Sequence, residues 1–150
     1  MRMPSPFLLR QCVTLYNKLP SGGKPINGGY APQEYKRAVL RSVRYIQQEG
    51  AITSSSHGAV SDSLHLMIFP GISEADEGEE YANPEIFENA SDRSKMWTLQ
   101  KGFDYIALGS HDDPKPSIEG KGNRNDFKIS TVDIRYNPNG TIHHFEVNAR

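Results

Sequence analysis

The clearest alternation of hydrophobic and polar positions lies between Thr131 and Asn148, T-V-D-I-R-Y-N-P-N-G-T-I-H-H-F-E-V-N. Two alternating segments flank Asn137-Pro138-Asn139-Gly140. Pro138 suits the second position of a type I turn, and Gly140 suits a following left-handed residue that bulges. This predicts a hairpin in which Asn137 faces Thr141, Tyr136 faces Ile142, Arg135 faces His143, Ile134 faces His144 and Asp133 faces Phe145. Because side chains alternate along a strand, Val132, Ile134, Tyr136, Ile142 and His144 are expected on one face. Asp133, Arg135, His143 and Phe145 are expected on the other.

The remaining pattern is more varied. Phe7 to Tyr16 reads as a first strand, followed by Gly/Pro loops over residues 20–29. Ala31 to Glu49 has helical punctuation, with Pro32 in its first turn and Gly50 past its end. Tyr35, Ala38, Val39, Ser42, Val43 and Ile46 would share one helical face. Leu64 to Phe69 predicts a strand with Leu64, Leu66 and Ile68 on one side. Residues 73–92 predict an exposed acidic excursion with a short helical turn after Pro84. Met96–Gln100 and Phe103–Leu108 read as further strands, and residues 111–125 as a mobile loop. One early helix followed by at least four antiparallel strands is an α+β fold, with the helix across one sheet face.

A chain of 150 residues is one domain of ordinary size. Its charge is uneven. Residues 1–50 carry +6, residues 51–92 carry −9 and the remainder +2, for a net −1. Local fields of both signs are therefore expected. No apolar run approaches the roughly 20 residues of a membrane helix, so no membrane partner is expected. Cys12 is the only cysteine. It excludes an internal disulfide and a cysteine metal site, and reads as a small hydrophobe in a strand. Sequons at Asn89 and Asn139 leave secretion after leader removal open beside a cytoplasmic location.

Several chemical signatures are missing. The glycines near Gly22 and Gly28 do not form a phosphate loop, and Ser56-His57 has no nucleophile elbow. The acidic run lacks the ordered spacing of a calcium loop. His57, His65, His111, His143 and His144 lack a zinc pattern, so no metal and no cofactor is expected. Two basic features remain. Lys36, Arg37, Arg41 and Arg44 would form a stripe on the expected helix. It is either a solvated outer face or a surface for RNA. On the terminal hairpin, Arg135 can hold a phosphate and His143 can transfer a proton near neutral pH. Asp133 could orient the histidine, and His65, His57 or Glu146 could supply the second proton transfer. The bland alternative is a wet sheet face.

An early helix, a strand ending at Phe69-Pro70, and later strands carrying Arg and His together resemble the small secreted microbial ribonucleases. They also resemble the fungal ribonuclease-like effectors built on that fold. The resemblance covers element order and a few residues. It implies His57 as the upstream histidine, Arg135 as the phosphate-binding arginine and His143 as the general acid. Ile68 stands where those enzymes carry a glutamate base, the Arg-to-His spacing is shorter, and the disulfides are absent. Cysteine-free ribonuclease toxins of bacterial competition share the same general fold. The expectation is a metal-independent endoribonuclease or toxin. The rival is a non-catalytic interaction module, such as a secreted effector or a viral or phage accessory protein, that binds RNA or a host protein. A third reading is a cystatin-like or ligand-binding α+β domain that uses the cavity between helix and sheet.

Overall fold

The computed structural model describes residues 9–20, 25–26, 29–30, 32–48, 62–118 and 126–150. Its strands are β1 (Gln11–Lys18), β2 (Pro25–Ile26), β3 (Gly29–Tyr30), β4 (Tyr35–Gln48), β5 (Ser63–Ile68) and β6 (Glu74–Ala75). They continue with β7 (Glu80–Tyr81), β8 (Met96–Trp97), β9 (Tyr105–Leu108), β10 (Phe127–Tyr136) and β11 (Ile142–Ala149). The only helix among the described residues is the single short turn α1 (Pro84–Asn89). Six antiparallel strands form a ring in the order β1-β9-β10-β11-β5-β4, and β1 pairs with β4 to close it. This closed barrel replaces the expected α+β sheet with a helix across it.

The correction centres on residues 35–48, which form a long strand instead of the expected helix. (Ala31 and Glu49, the ends of that helix, lie outside the described residues.) Tyr35, Val39, Val43, Tyr45 and Ile46 are aromatic or β-branched and suit a strand. The barrel core takes Ala38, Leu40 and Val43, with Tyr45 packed against it. The steps between them are two, three and two residues. The odd step comes from a bulge, because Cys12 faces Arg41 while Gln11 faces Val43, leaving Ser42 extra. A bulged strand thus mimics the i, i+3 spacing of a helix. Barrel closure then decides between the two, since both edges of β4 find partners: Tyr35–Val43 lie beside β1 and Arg44–Gln48 beside β5.

Ser42 has φ of 60°, in the left-handed region, which is costly for a residue with a side chain. Its carbonyl is held by the Ser73 hydroxyl at 2.6 Å, and that hydroxyl accepts from the Phe69 amide at 3.1 Å. Beyond the bulge, β5 behaves as its pattern demands. Leu64, Leu66 and Ile68 point inward against Phe145, Val147 and Ala149 of β11.

The loops are more tightly held than their composition implied. Thr14 and Tyr16, on the outer side of β1, are fully buried. Thr14 Oγ1 donates to the Gly109 carbonyl at 2.8 Å and accepts from the His111 amide at 3.0 Å, and Tyr16 OH donates to Asp113 O at 3.0 Å. Residues 109–113 are therefore strapped across the barrel, and Ser117 is bonded to Asp126. Residues 119–125 of the expected mobile loop lie outside the described residues. At the far end of β1, the buried Asp104 carboxylate accepts four hydrogen bonds. Lys18 N (2.8 Å) and Gln100 Nε2 (2.9 Å) reach Oδ1, while Asn17 Nδ2 (2.8 Å) and Gln100 N (2.7 Å) reach Oδ2.

The strained serine and the buried carboxylate each have a measurable effect on stability. Ser42→Gly should raise the unfolding free energy, and Ser42→Val should lower it by about 1–2 kcal/mol, because only glycine adopts this backbone without strain. Urea midpoints at constant slope check this. Asp104→Asn should cost about 3 kcal/mol, because an amide nitrogen would face donors that need an acceptor. Burial pushes the Asp104 carboxyl from its ordinary 3.8 up to about 6, against the four donors. The folded chain then holds this proton more tightly than the unfolded chain does. The associated stability is full below about pH 4 and is lost by about pH 6. The gap between wild type and Asp104→Asn should accordingly narrow across that window. A constant gap would remove Asp104 as its source.

Candidate functional site

The polar group anticipated on the terminal hairpin exists, but its membership differs. Asn137 and Thr141 close the turn, with the Asn137 amide donating to Thr141 O at 2.7 Å, and Tyr136 faces Ile142 as the turn chemistry required. One step further the register shifts. Arg135 faces His144, Ile134 faces Phe145 and Asp133 faces Glu146, so His143 is an extra, bulged residue. Every later side chain therefore changes face relative to the expected pairing. Phe145 turns into the core and is fully buried. It packs against Tyr81, with ring centroids 4.6 Å apart, and Trp97, at 5.8 Å.

The bulge defines an outer face shared by β10, β11 and β5. Asp133 and Arg135 stand beside His144 and Glu146, and β5 adds His65. Arg135 lies 2.8 Å from Asp133 Oδ2 and donates through Nε to Glu146 Oε2 at 3.0 Å. Glu146 is the centre of the group. Its carboxylate oxygens lie 3.9 Å from His65 Nε2 and 3.9 Å from His144 Nε2. His65 is oriented by Asn148 at 2.9 Å, and Asn148 donates onward to Thr131 at 2.9 Å. Phe69 stacks on His144 with centroids 5.2 Å apart. Beside His65 opens a groove of about 580 Å3, lined by Ile46, Ser63, His65, Thr131, Asn148 and Arg150 among others.

The two adjacent histidines share one hydrogen bond, with their Nδ1 atoms 2.7 Å apart. One ring must donate and the other accept. His143 is buried, at 3% exposure, and its Nε2 has no partner among the described residues. Leaving that nitrogen as a bare lone pair is cheaper than burying an unpaired N–H. The favoured arrangement therefore has His143 Nδ1–H donating to His144 Nδ1. The proton of His144 then sits on Nε2, toward Glu146. Burial, as the main cause, pushes His144 below its ordinary 6.5 despite Glu146 nearby. It stays neutral in the folded chain until the pH falls further.

Of the expected catalytic set, Arg135, Asp133 and His65 are brought together around Glu146, which alternation in the expected register puts on the face opposite Arg135. His143 is withdrawn from solvent, and its expected place beside Arg135 is taken by His144. His57 lies outside the described residues. Phe145 carried the signal that could have revealed this. It is the bulkiest apolar residue of its strand, and a register exposing it on a wet face sacrifices core area.

The basic stripe is also rearranged. Lys36, Arg37, Arg41 and Arg44 belong to β4 instead of a helix. Lys36 is paired with the buried Glu79 at 2.9 Å. Arg41 forms a two-pronged pair with Asp76, which is anchored by its own amide on Val39 O at 3.0 Å. Arg37 donates to the His111 carbonyl at 2.9 Å, and Arg44 is exposed. The acidic segment is thus folded back onto the basic strand. Its expected helical turn is present as α1, capped by Asn83 with Phe87 buried beneath it. Among the described residues, no group of three or more His, Cys, Asp or Glu is placed to hold a metal ion.

His143→Ala should lower the unfolding free energy by about 2–4 kcal/mol, the cost of opening a buried cavity. A residue on a wet face would show almost no change. Denaturant unfolding of the variant distinguishes the two.

The chain belongs to a family of unknown function, DUF6751, whose profile matches residues 8–150. No curated protein and no solved structure matches it significantly.

Proposed function

We propose that this member of DUF6751 is a non-catalytic interaction module whose partner is a protein surface. One observation carries the reading: the cations that RNA cleavage would require are largely committed inside the chain. Arg135 lies between Asp133 and Glu146, Lys36 is paired with Glu79 and Arg41 with Asp76. Around Glu146 the balance is two carboxylates against one guanidinium, with burial favouring the neutral form of the His144 imidazole. Such a site repels phosphates more than it attracts them. The adjoining groove, by contrast, has a mixed lining and the half-exposed Ile46 at its rim. That chemistry suits a protein partner better than a polyanion.

A second reading is kept because of a specific contact. Glu146 lies within 3.9 Å of two imidazoles, an arrangement suited to acid–base chemistry in metal-independent RNA cleavage. Incubation of the full chain with end-labelled RNA in EDTA separates the readings. The interaction module gives no cleavage and no salt-sensitive RNA binding. Cleavage that falls about 100-fold or more in both Glu146→Gln and His65→Ala would replace it with the enzyme reading.

A further inference from the structure

Among the described residues, β10 leaves part of its edge open. β10 pairs with β9 only at Phe127 and Lys128. A second bulge, at Ser130, then carries it away: Ile129 faces Ala149 while Thr131 faces Asn148, and the Ser130 hydroxyl donates to Asn148 O at 2.9 Å. From Thr131 to Tyr136, among the described residues, the strand is paired on the β11 side alone. The direction of its backbone groups follows from the turn. The Asn137 amide points to β11, so alternation sends those of Arg135 and Asp133 the same way. The N–H and C=O groups of Val132, Ile134 and Tyr136 point to the open edge.

We infer that this edge is a self-association surface, on which a second copy of the chain docks β10 against β10 in antiparallel fashion. The register is constrained by the edge itself. Only Val132, Ile134 and Tyr136 can exchange backbone hydrogen bonds, so a two-fold axis can pass through residue 133, 134 or 135. An axis at 133 places Asp133 opposite Asp133 of the other copy. An axis at 135 places Arg135 opposite Arg135. An axis at 134 places Asp133 opposite Arg135 and Arg135 opposite Asp133. In that register the charged pairs fall at the non-hydrogen-bonded positions, where Cα atoms approach to about 4.5 Å and side chains meet most closely. The side chains of Asp133 and Arg135 are 56% and 51% exposed, so the pair they form within one chain can join that of the other copy in a network of four alternating charges. The apolar row agrees. Ile134 meets Ile134, and Tyr136, 55% exposed in one chain, meets the partly buried Val132 of the other. The pattern is self-complementary, as a two-fold interface requires.

This inference goes beyond the interaction reading and does not depend on it, because an enzyme could associate in the same way. Sedimentation equilibrium of the full chain tests it, with circular dichroism to monitor folding. Wild type should show a concentration-dependent doubling of mass. Asp133→Arg and Arg135→Asp should each sediment as monomers, since each places like charges opposite one another. Mixed in equal amounts, these two variants should form a dimer, because the edge of the first then carries two cations and the edge of the second two anions. Recovery on mixing also shows that both variants were folded. A wild-type chain that stays monomeric at every concentration overturns the inference. So do single variants that dimerise as wild type does, or variants that stay apart when mixed.

Discussion

The structure depends on closing a ring of six strands, and that closure depends on β4. This strand must lie beside β1 along its first part and beside β5 along its second. A regular strand of fourteen residues would hold one facing throughout. The extra residue at Ser42 supplies the break, and Ser73 secures it from the following loop. With closure, the inward residues of all six strands meet in one core. Without it, β1 and β4 would be edges with unpaired backbone groups and exposed apolar side chains.

The same closure determines where the charges go. The loop after β5 returns along the outer edge of β4 through the short β6 pairing. This brings the negative segment onto the positive one, where Glu79 pairs with Lys36 and Asp76 with Arg41. The Lys36–Glu79 pair is the more consequential of the two, because Glu79 is nearly inaccessible. Removing either partner would strand a charge in the interior. The Arg41–Asp76 pair is exposed and serves chiefly to register the loop. An uneven charge distribution therefore need not announce a charged ligand.

Bulges recur wherever the barrel departs from regularity. At Ser42 one bends a strand to close the ring. At Ser130 one turns β10 away from β9 and leaves its edge unpaired among the described residues. At His143 one rotates the rest of β11, which seats Phe145 in the core and gathers Arg135, His144, Glu146 and His65 outside. All three insert a single residue, and each reverses the faces of everything beyond it.

Local chemistry in the sequence was enough for several parts of this protein. The N-P-N-G turn established the hairpin and its first two pairings, Asn137 with Thr141 and Tyr136 with Ile142. The alternation of Leu64, Leu66 and Ile68 established β5 and its core face. Pro84 marked the start of the one helical turn among the described residues. These features depend on residues a few positions apart. The bulges do not, because each is decided by which neighbouring strand must be reached and which large side chain must be buried. A single bulge turned a strand at residues 35–48 into the image of a helix, and another exchanged His143 for His144 at the polar face. The partners of Lys36, Arg37, Arg41 and Arg135 were equally hidden. Three of them reach contacts distant in the chain, at Glu79, His111 and Asp76, and Arg135 reaches Glu146 only in the shifted register. Only the closed barrel brings these groups within hydrogen-bonding distance.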